Sequence, residues 1–285
     1  MNRAERATSV SLVLASVASV QLGAAVATTL FDELEPGGTV LLRTGFAAVI
    51  LVAIWRPAIA RGARGPLRDA ALFGCALAAM NLSFYAALDR IPLGIAVAFE
   101  FVGPFAVAVA GSRRPLDLVW VALAATGILL LSPIHGSLDG LGVAFALLAG
   151  CFWAAYIVLT ARIGRSFAGG EGLALGMAFS TLLLLPVGVV AAGGELGDPG
   201  LLAIGLAVAV LSSAIPYSLE LEALRRLPKG TFGVLMSLEP AVAALVGLVV
   251  LGQDLSAVEV LAIGCVVSAS AGALGTARAP SPVEA

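Results

Sequence analysis

A few ionisable side chains sit inside stretches of this chain that are otherwise apolar. PLGIAVAFEFVGP, Pro92–Pro104, carries Glu100 near its middle. RLPKGTFGVLMSLEP, Arg226–Pro240, carries Glu239 just before its last proline. VLLRTGF, Val40–Phe46, holds Arg43, and IPYSLELEAL, Ile215–Leu224, holds Glu220 and Glu222. A guanidinium such as Arg43 either pairs with a buried carboxylate or binds the carboxylate of a substrate in bidentate fashion. A glutamate in the same place takes an ammonium group or a proton. The competing reading is a purely structural Arg–Glu pair that fixes helix positions. Charges inside membrane segments mark substrate and proton pathways, which favours the first reading.

The argument for depth is geometric. At 1.5 Å per helical residue, Glu100 lies roughly 15 Å along a helix from Arg90, and Glu239 about 15 Å from Lys229. Both therefore fall near the middle of a hydrocarbon layer about 30 Å thick. By the same rise Arg43 is about 10 Å inside its span and Glu220 about 7–8 Å from Arg225, close enough to reach an interface. Glu222 is nearer still and reads as interfacial. A carboxylate at mid-depth costs at least about 2.5–3.5 kcal/mol unless it is paired, hydrated or protonated. Two in matching helices imply a shared polar cavity.

The helices that must position these groups follow from composition. Of 285 residues 60% are hydrophobic and 12% charged, and the mean hydropathy is +1.05. A soluble domain carries about twice that share of charge, so the solvent for this chain is lipid. Apolar runs long enough to span a bilayer are expected near 8–30, 38–55, 70–88, 93–111, 116–133, 140–161, 172–192, 200–223, 231–251 and 257–276. With the N-terminus cytoplasmic, every one of the 16 Lys and Arg residues except Arg43 and Arg90 falls on the inside. Cytoplasmic loops carry that excess. The bias supports an even number of spans and both termini inside. A rival reading takes Arg3, Arg6 and the Ala25-Val26-Ala27 triplet as a cleaved signal peptide, which would leave nine spans.

The segments around Glu100 and Glu239 share Arg, Pro, Gly and a second Pro at an ungapped offset of 136. Each opens the fourth span of a set of five. Five is odd, so residues 1–137 and 138–285 read as two inverted repeats, a transporter architecture with its site where the halves meet. A channel or inert scaffold built on the same duplication is the alternative. Pro104 cannot donate to the carbonyl of Glu100, nor Pro240 to that of Met236, so each is expected to break its helix beside the cavity. Asn81, Tyr85, Trp153, Tyr156, Ser213, Tyr217 and Ser218 bring polar tips into the spans and can line it, or serve as interfacial anchors and helix glue. The triplets Gly142/Ala146/Gly150 and Gly264/Ser268/Gly272 read as close helix packing.

Other chemistries find little support. The net charge of −2 argues against a nucleic-acid partner. Cys75, Cys151 and Cys265 stand far apart in apolar runs, and the lone His135 lies in a polar break, so neither a metal site nor any other cofactor is indicated. No GxxxxGK[ST] loop is present for ATP, and an intramembrane nucleophile with its base is missing, which makes an enzyme the weaker class.

NLSFYAALDRIPLGIAVAFEFVGPFAVAVAGSRRPLDLVWV, Asn81–Val121, and IPYSLELEALRRLPKGTFGVLMSLEPAVAAL, Ile215–Leu245, resemble the bacterial threonine/homoserine exporters of the RhtA type. These belong to the EamA branch of the drug/metabolite transporter superfamily. The resemblance extends over nearly the whole chain, through SVQLGAAVATTLF, Ser19–Phe31, and the arginine of VLLRTGF. It implies an all-α integral membrane protein of ten helices in the bacterial inner membrane. It also implies export of small neutral amino acids from the cytoplasm in exchange for protons. Arg43, Glu100, Glu220 and Glu239 fall at matching positions, whereas Glu222 does not. On that reading Arg43 and Glu100 hold the two poles of a zwitterion, and Glu239, Glu220 or Glu100 itself carries the proton; export of another small metabolite or drug is the alternative within the family. Monomer and homodimer stay equally open.

Overall fold

Helices apolar on every side have no stripe to turn toward water, so they bundle with their most apolar surface outward into lipid. A computed structural model describes residues 3–57, 64–110, 116–130, 138–224 and 235–276, and in these the regular structure is helical throughout. The helices are α1 (Arg3–Thr28), α2 (Phe31–Trp55), α3 (Arg64–Leu88), α4 (Leu93–Glu100), α5 (Val102–Ala110) and α6 (Leu116–Leu130). They continue with α7 (Gly140–Ser166), α8 (Glu171–Ala192), α9 (Pro199–Ala209), α10 (Ile215–Leu224), α11 (Glu239–Leu251) and α12 (Ala257–Thr276). Large apolar side chains such as Val49, Leu118, Leu182, Val190, Val249 and Leu261 point outward. Such a surface suits a multi-pass membrane protein and no aqueous one.

Five described helices are long and apolar enough to cross a membrane, and five more apolar helical stretches are shorter. The difference from ten uniform spans has local causes. The expected span 93–111 is two helices, α4 and α5, meeting at Phe101. The expected span 200–223 is divided by a π-helical segment, Val210–Ala214, between α9 and α10. The second span begins earlier than expected, at Phe31, and bends at Glu35 with φ 52°. Pro36 disfavours the helical region for the residue before it, and that displaces Glu35. His135, Pro133 and Lys229 lie outside the described residues, as does the start of the expected span 231–251.

The packing runs between the halves of the chain as much as within them. Helix α2 lies on α8, α4 on α11 and α6 on α12. Helix α3 packs on α7 and α8, and α1 on α10 and α11, while α4 also meets α7 and α2 also meets α9. Small residues permit the closest of these approaches. A Cβ on Gly103 would overlap the backbone of Gly150, and one on Gly150 would lie 2.6 Å from the carbonyl oxygen of Glu100. Gly142 meets Arg90 and Ile91 in the same way, so the triplet on α7 is a packing seam. The triplet on α12 is only partly one, because Gly272 faces Trp120 but Gly264 has nothing within 4 Å.

Two polar contacts tie the ends. The side chain of Asp139 caps α7 by accepting from the Leu141 amide at 2.9 Å and pairs with Arg90 at 3.1 Å. The Leu141 amide, and after it the Arg90 guanidinium, hold the Asp139 carboxyl below the ordinary carboxylate value. Its contribution is therefore present at neutral pH and lost as pH falls through that lowered value. Gly252, with φ 63°, ends α11 in the left-handed region, and Gln253 beyond it accepts from the Leu93 amide at 3.0 Å.

Gly103→Val will destabilise the detergent-solubilised protein by about 1–3 kcal/mol, as overpacked cores do, whereas Gly264→Ala will leave Tm unchanged or slightly raised. Asp139→Ala will lower Tm at pH 7, and the gap from wild type will close below the ordinary carboxylate range of about pH 4. Thermal melts across pH check both.

Candidate functional site

Proline and the π segment open the bundle at one level. Pro104 sits in the first turn of α5 and Pro240 in the first turn of α11, where a missing amide donor costs nothing. Each follows a break that leaves a glutamate beside it. The backbone differs between the two breaks. The carbonyl of Glu100 lies against Gly150 of α7. Before α11 the chain makes a turn at Ser237–Leu238, in which the Leu238 amide donates to the Leu235 carbonyl at 3.1 Å. A third proline, Pro216, acts likewise without having been singled out. It cannot donate to the carbonyl of Ser212, four residues before it, and the helix widens there into the π segment. Serines of α1 occupy the neighbouring acceptors: Ser19 Oγ donates to the Leu211 carbonyl at 2.7 Å, and Ser16 Oγ reaches the Pro216 carbonyl at 3.4 Å.

The space between these breaks is a cavity of about 480 Å³. Its walls come from both halves of the chain. Val20, Gln21 and Ala24 of α1, Arg43 of α2, and Met80, Asn81 and Phe84 of α3 form one side. Val97, Glu100, Phe101, Pro104 and Val107 of α4 and α5 form the next. Trp153, Tyr156 and Ile157 of α7, Ser212, Pro216 and Glu220 around the π segment, and Met236 and Glu239 before and in α11 complete it. The volume is in the range of pockets for small ligands. Mostly apolar walls with a few convergent polar groups are the usual design of such a pocket.

Two of the carboxylates in the cavity have no direct partner. Glu100 is 7% exposed and Glu239 5%, and neither carboxylate has a hydrogen bond or ion pair among the described residues. Glu220 differs, accepting from Ser16 Oγ at 2.7 Å. Arg43 Nη1 donates to the Tyr85 hydroxyl at 3.4 Å, and its guanidinium carbon lies 5.4 Å from the Tyr85 ring centroid. An aromatic face at that distance holds a cation without neutralising it. Among the described residues no ion pair joins Arg43 to a carboxylate.

The other expected residues divide. Asn81 lines the cavity, but its amide nitrogen donates to the Leu77 carbonyl at 2.8 Å, leaving only the side-chain oxygen uncommitted. Trp153 and Tyr156 line it too, Trp153 edge-on to Phe101 at 5.4 Å between centroids and Tyr156 at 4.9 Å from Phe73. Tyr85 is fully buried behind the wall and adjoins the lining residues Arg43 and Phe84. Ser213 is buried outside the lining, and Pro240 is buried beside Glu239 without lining it. The side chains of Tyr217, Ser218 and Glu222 lie outside the described residues. Gln21, Phe101 and Ser212 were missed by sequence reasoning. A lone amide in an apolar span, the signal that picked out Asn81, was present at Gln21 in SVQLGAAV.

Relatives match this chain over almost its whole length, and the family match covers its second half. The profile of the EamA-like transporter family matches residues 140–275. A threonine/homoserine exporter, RhtA, of Escherichia coli strain K12 is 42% identical over 276 residues, 96% of this chain and 93% of that one. The chain belongs to the EamA-like transporter family. RhtA of Salmonella typhimurium strain LT2 is 42% identical over 270 residues, 94% of this chain and 91% of its own length. A crystal structure of a protein only 17% identical covers 92% of this chain with a TM-score of 0.63, which shows a shared fold. This EamA-like protein is accordingly a transporter and not an enzyme, and its cavity is the place to look for cargo.

Since neither carboxylate supports a partner, Glu100→Gln and Glu239→Gln will each give folded, monodisperse protein with Tm at or above wild type. Size-exclusion profiles and thermal melts in detergent decide this. Misfolding of both would mean that the charges hold the helices.

Proposed function

We propose that this transporter exports small neutral amino acids of the threonine/homoserine class from the bacterial cytoplasm in exchange for protons. The observation that carries the reading is one cavity between the two halves of the chain, holding a guanidinium and carboxylates that form no direct ion pair among the described residues. Arg43 takes the α-carboxylate of the amino acid in bidentate fashion, with Tyr85 holding the guanidinium in place. Glu100 takes the ammonium group. Glu239, free of the serine contact that occupies Glu220, carries the coupling proton. A proton arriving from outside on Glu239 makes the cavity less negative and weakens the hold of Glu100 on the ammonium group, and the cargo leaves as the proton enters. The curated relatives named threonine/homoserine exporters support the substrate class.

Movement follows by alternating access between residues 1–137 and 138–285, taken as inverted five-helix repeats in ten spans with both termini cytoplasmic. Exchanging the halves maps the contact of α3 with α7 onto that of α1 with α10, and the contact of α4 with α7 onto that of α1 with α11. The contacts α2–α8, α4–α11 and α6–α12 map onto themselves. That pattern, together with the basic residues of one side, supports rocking of one half against the other.

Purified protein in liposomes will show saturable counterflow of labelled threonine, and an acidic lumen will drive threonine uptake as protons leave. Glu100→Gln will abolish both activities. Glu239→Gln will retain counterflow but lose the response to the gradient. Absence of exchange with any neutral amino acid overturns the substrate class. Exchange indifferent to pH overturns proton coupling, and unsaturable flux would mark a channel.

A further inference from the structure

The two charged poles of an amino acid leave part of the cavity unused, and that part holds a buried amide. Gln21 of α1 lines the cavity, is 3% exposed, and its side-chain oxygen has no hydrogen-bond partner among the described residues. Its neighbours on the same wall, Val20 and Ala24, are apolar. A buried polar atom without a partner costs about 1–3 kcal/mol, so this amide in the cavity wall calls for a ligand group. Asn81 and Ser212 also bring neutral polar groups to the lining, and the Ser212 hydroxyl also lacks a partner among the described residues. The Asn81 nitrogen is spent on Leu77, and Ser212 stands beside Tyr85, at the Arg43 pole.

We infer that Gln21 reads the side-chain hydroxyl of the cargo and sets the preference for hydroxylated over purely aliphatic amino acids. This rests on the amino-acid reading given above. A carboxamide presents an acceptor oxygen and a donor nitrogen together. A hydroxyl is donor and acceptor at once, so it satisfies either end of the amide without introducing charge. An aliphatic side chain of the same size leaves the amide buried and dry, and sites that hydrogen-bond a substrate hydroxyl discriminate against such analogues on that account. Glutamine is long enough to serve both a β-hydroxyl and a γ-hydroxyl, which suits threonine and homoserine alike.

One compound tests this, because 2-aminobutyrate is the deoxy form of both threonine and homoserine. Competition of labelled-threonine counterflow by threonine, homoserine and 2-aminobutyrate is measured in liposomes holding wild type, Gln21→Leu or Gln21→Met. Wild type will favour the two hydroxylated compounds by roughly tenfold, the size of one neutral hydrogen bond. Both variants will lose that preference while their affinity for 2-aminobutyrate stays within about twofold of wild type. Wild type without the preference, or variants that keep it, overturn the inference and leave the exporter reading intact. Wild type that exchanges no amino acid overturns the exporter reading itself. Should neither variant fold, the thermal shift of wild type by threonine against 2-aminobutyrate decides, equal shifts being the adverse result.

Discussion

A carboxylate with no partner in the middle of an apolar bundle constrains everything around it. Glu100 and Glu239 are both nearly enclosed and, among the described residues, both unpaired, and lipid would not tolerate either. The bundle therefore has to keep a polar space open at that level, and continuous helices packed by small residues would close it. The breaks at Phe101, in Val210–Ala214 and at Ser237–Leu238 keep it open. Each is paired with a proline whose missing amide makes the break the low-energy arrangement. Charge, proline and cavity are thus one feature expressed three ways.

Breaking helices in a membrane exposes backbone groups that need partners, and the surrounding packing provides them. Ser16 and Ser19 of α1 bond carbonyls around the π segment. On the opposite side, Gly103 and Gly150 bring α5 and α7 together at the level of Glu100. That contact also fixes where Trp153 and Tyr156 fall, one and two turns further along α7, so the same seam that seals one wall furnishes the next. Stability and site are built from the same residues, which is why a substitution in the glycine seam acts on both.

The sequence was most informative where a single residue type contradicts its surroundings. Glu100, Glu239 and Arg43 could be picked out because charge in hydrocarbon is costly wherever it lies, and the cavity does hold all three. Helical class and the packing role of Gly142, Ala146 and Gly150 were legible for a similar reason, since small residues at that spacing have few other uses in lipid. What escaped were properties that belong to pairs of elements. Tyr85 looks like a lining residue from its type alone, and only its packing against Arg43 of α2 shows it to lie behind the wall. The interruption at Pro216 was as readable as that at Pro104, but the carbonyl it frees belongs to Ser212, whose place in the cavity depends on α1. The bend at Glu35 and the lengths of the shorter helices likewise arise from local breaks that hydropathy averages away.

The arrangement of Arg43 bears most directly on mechanism. Had it formed a direct bridge to Glu100, a zwitterion would have to break that bridge before binding, and the desolvated pair would favour the empty state. Tyr85 instead anchors the guanidinium through its hydroxyl and ring, contacts that orient the cation without cancelling it. The poles of the cavity are then preorganised and left without a direct ion pair, so an incoming zwitterion completes a charge pattern instead of competing with one. A site of this kind also separates substrate binding from proton binding. On the proton-exchange proposal, a proton can silence a carboxylate but not a guanidinium, so protonation would loosen only one end of the cargo and movement of the halves would have to release the other.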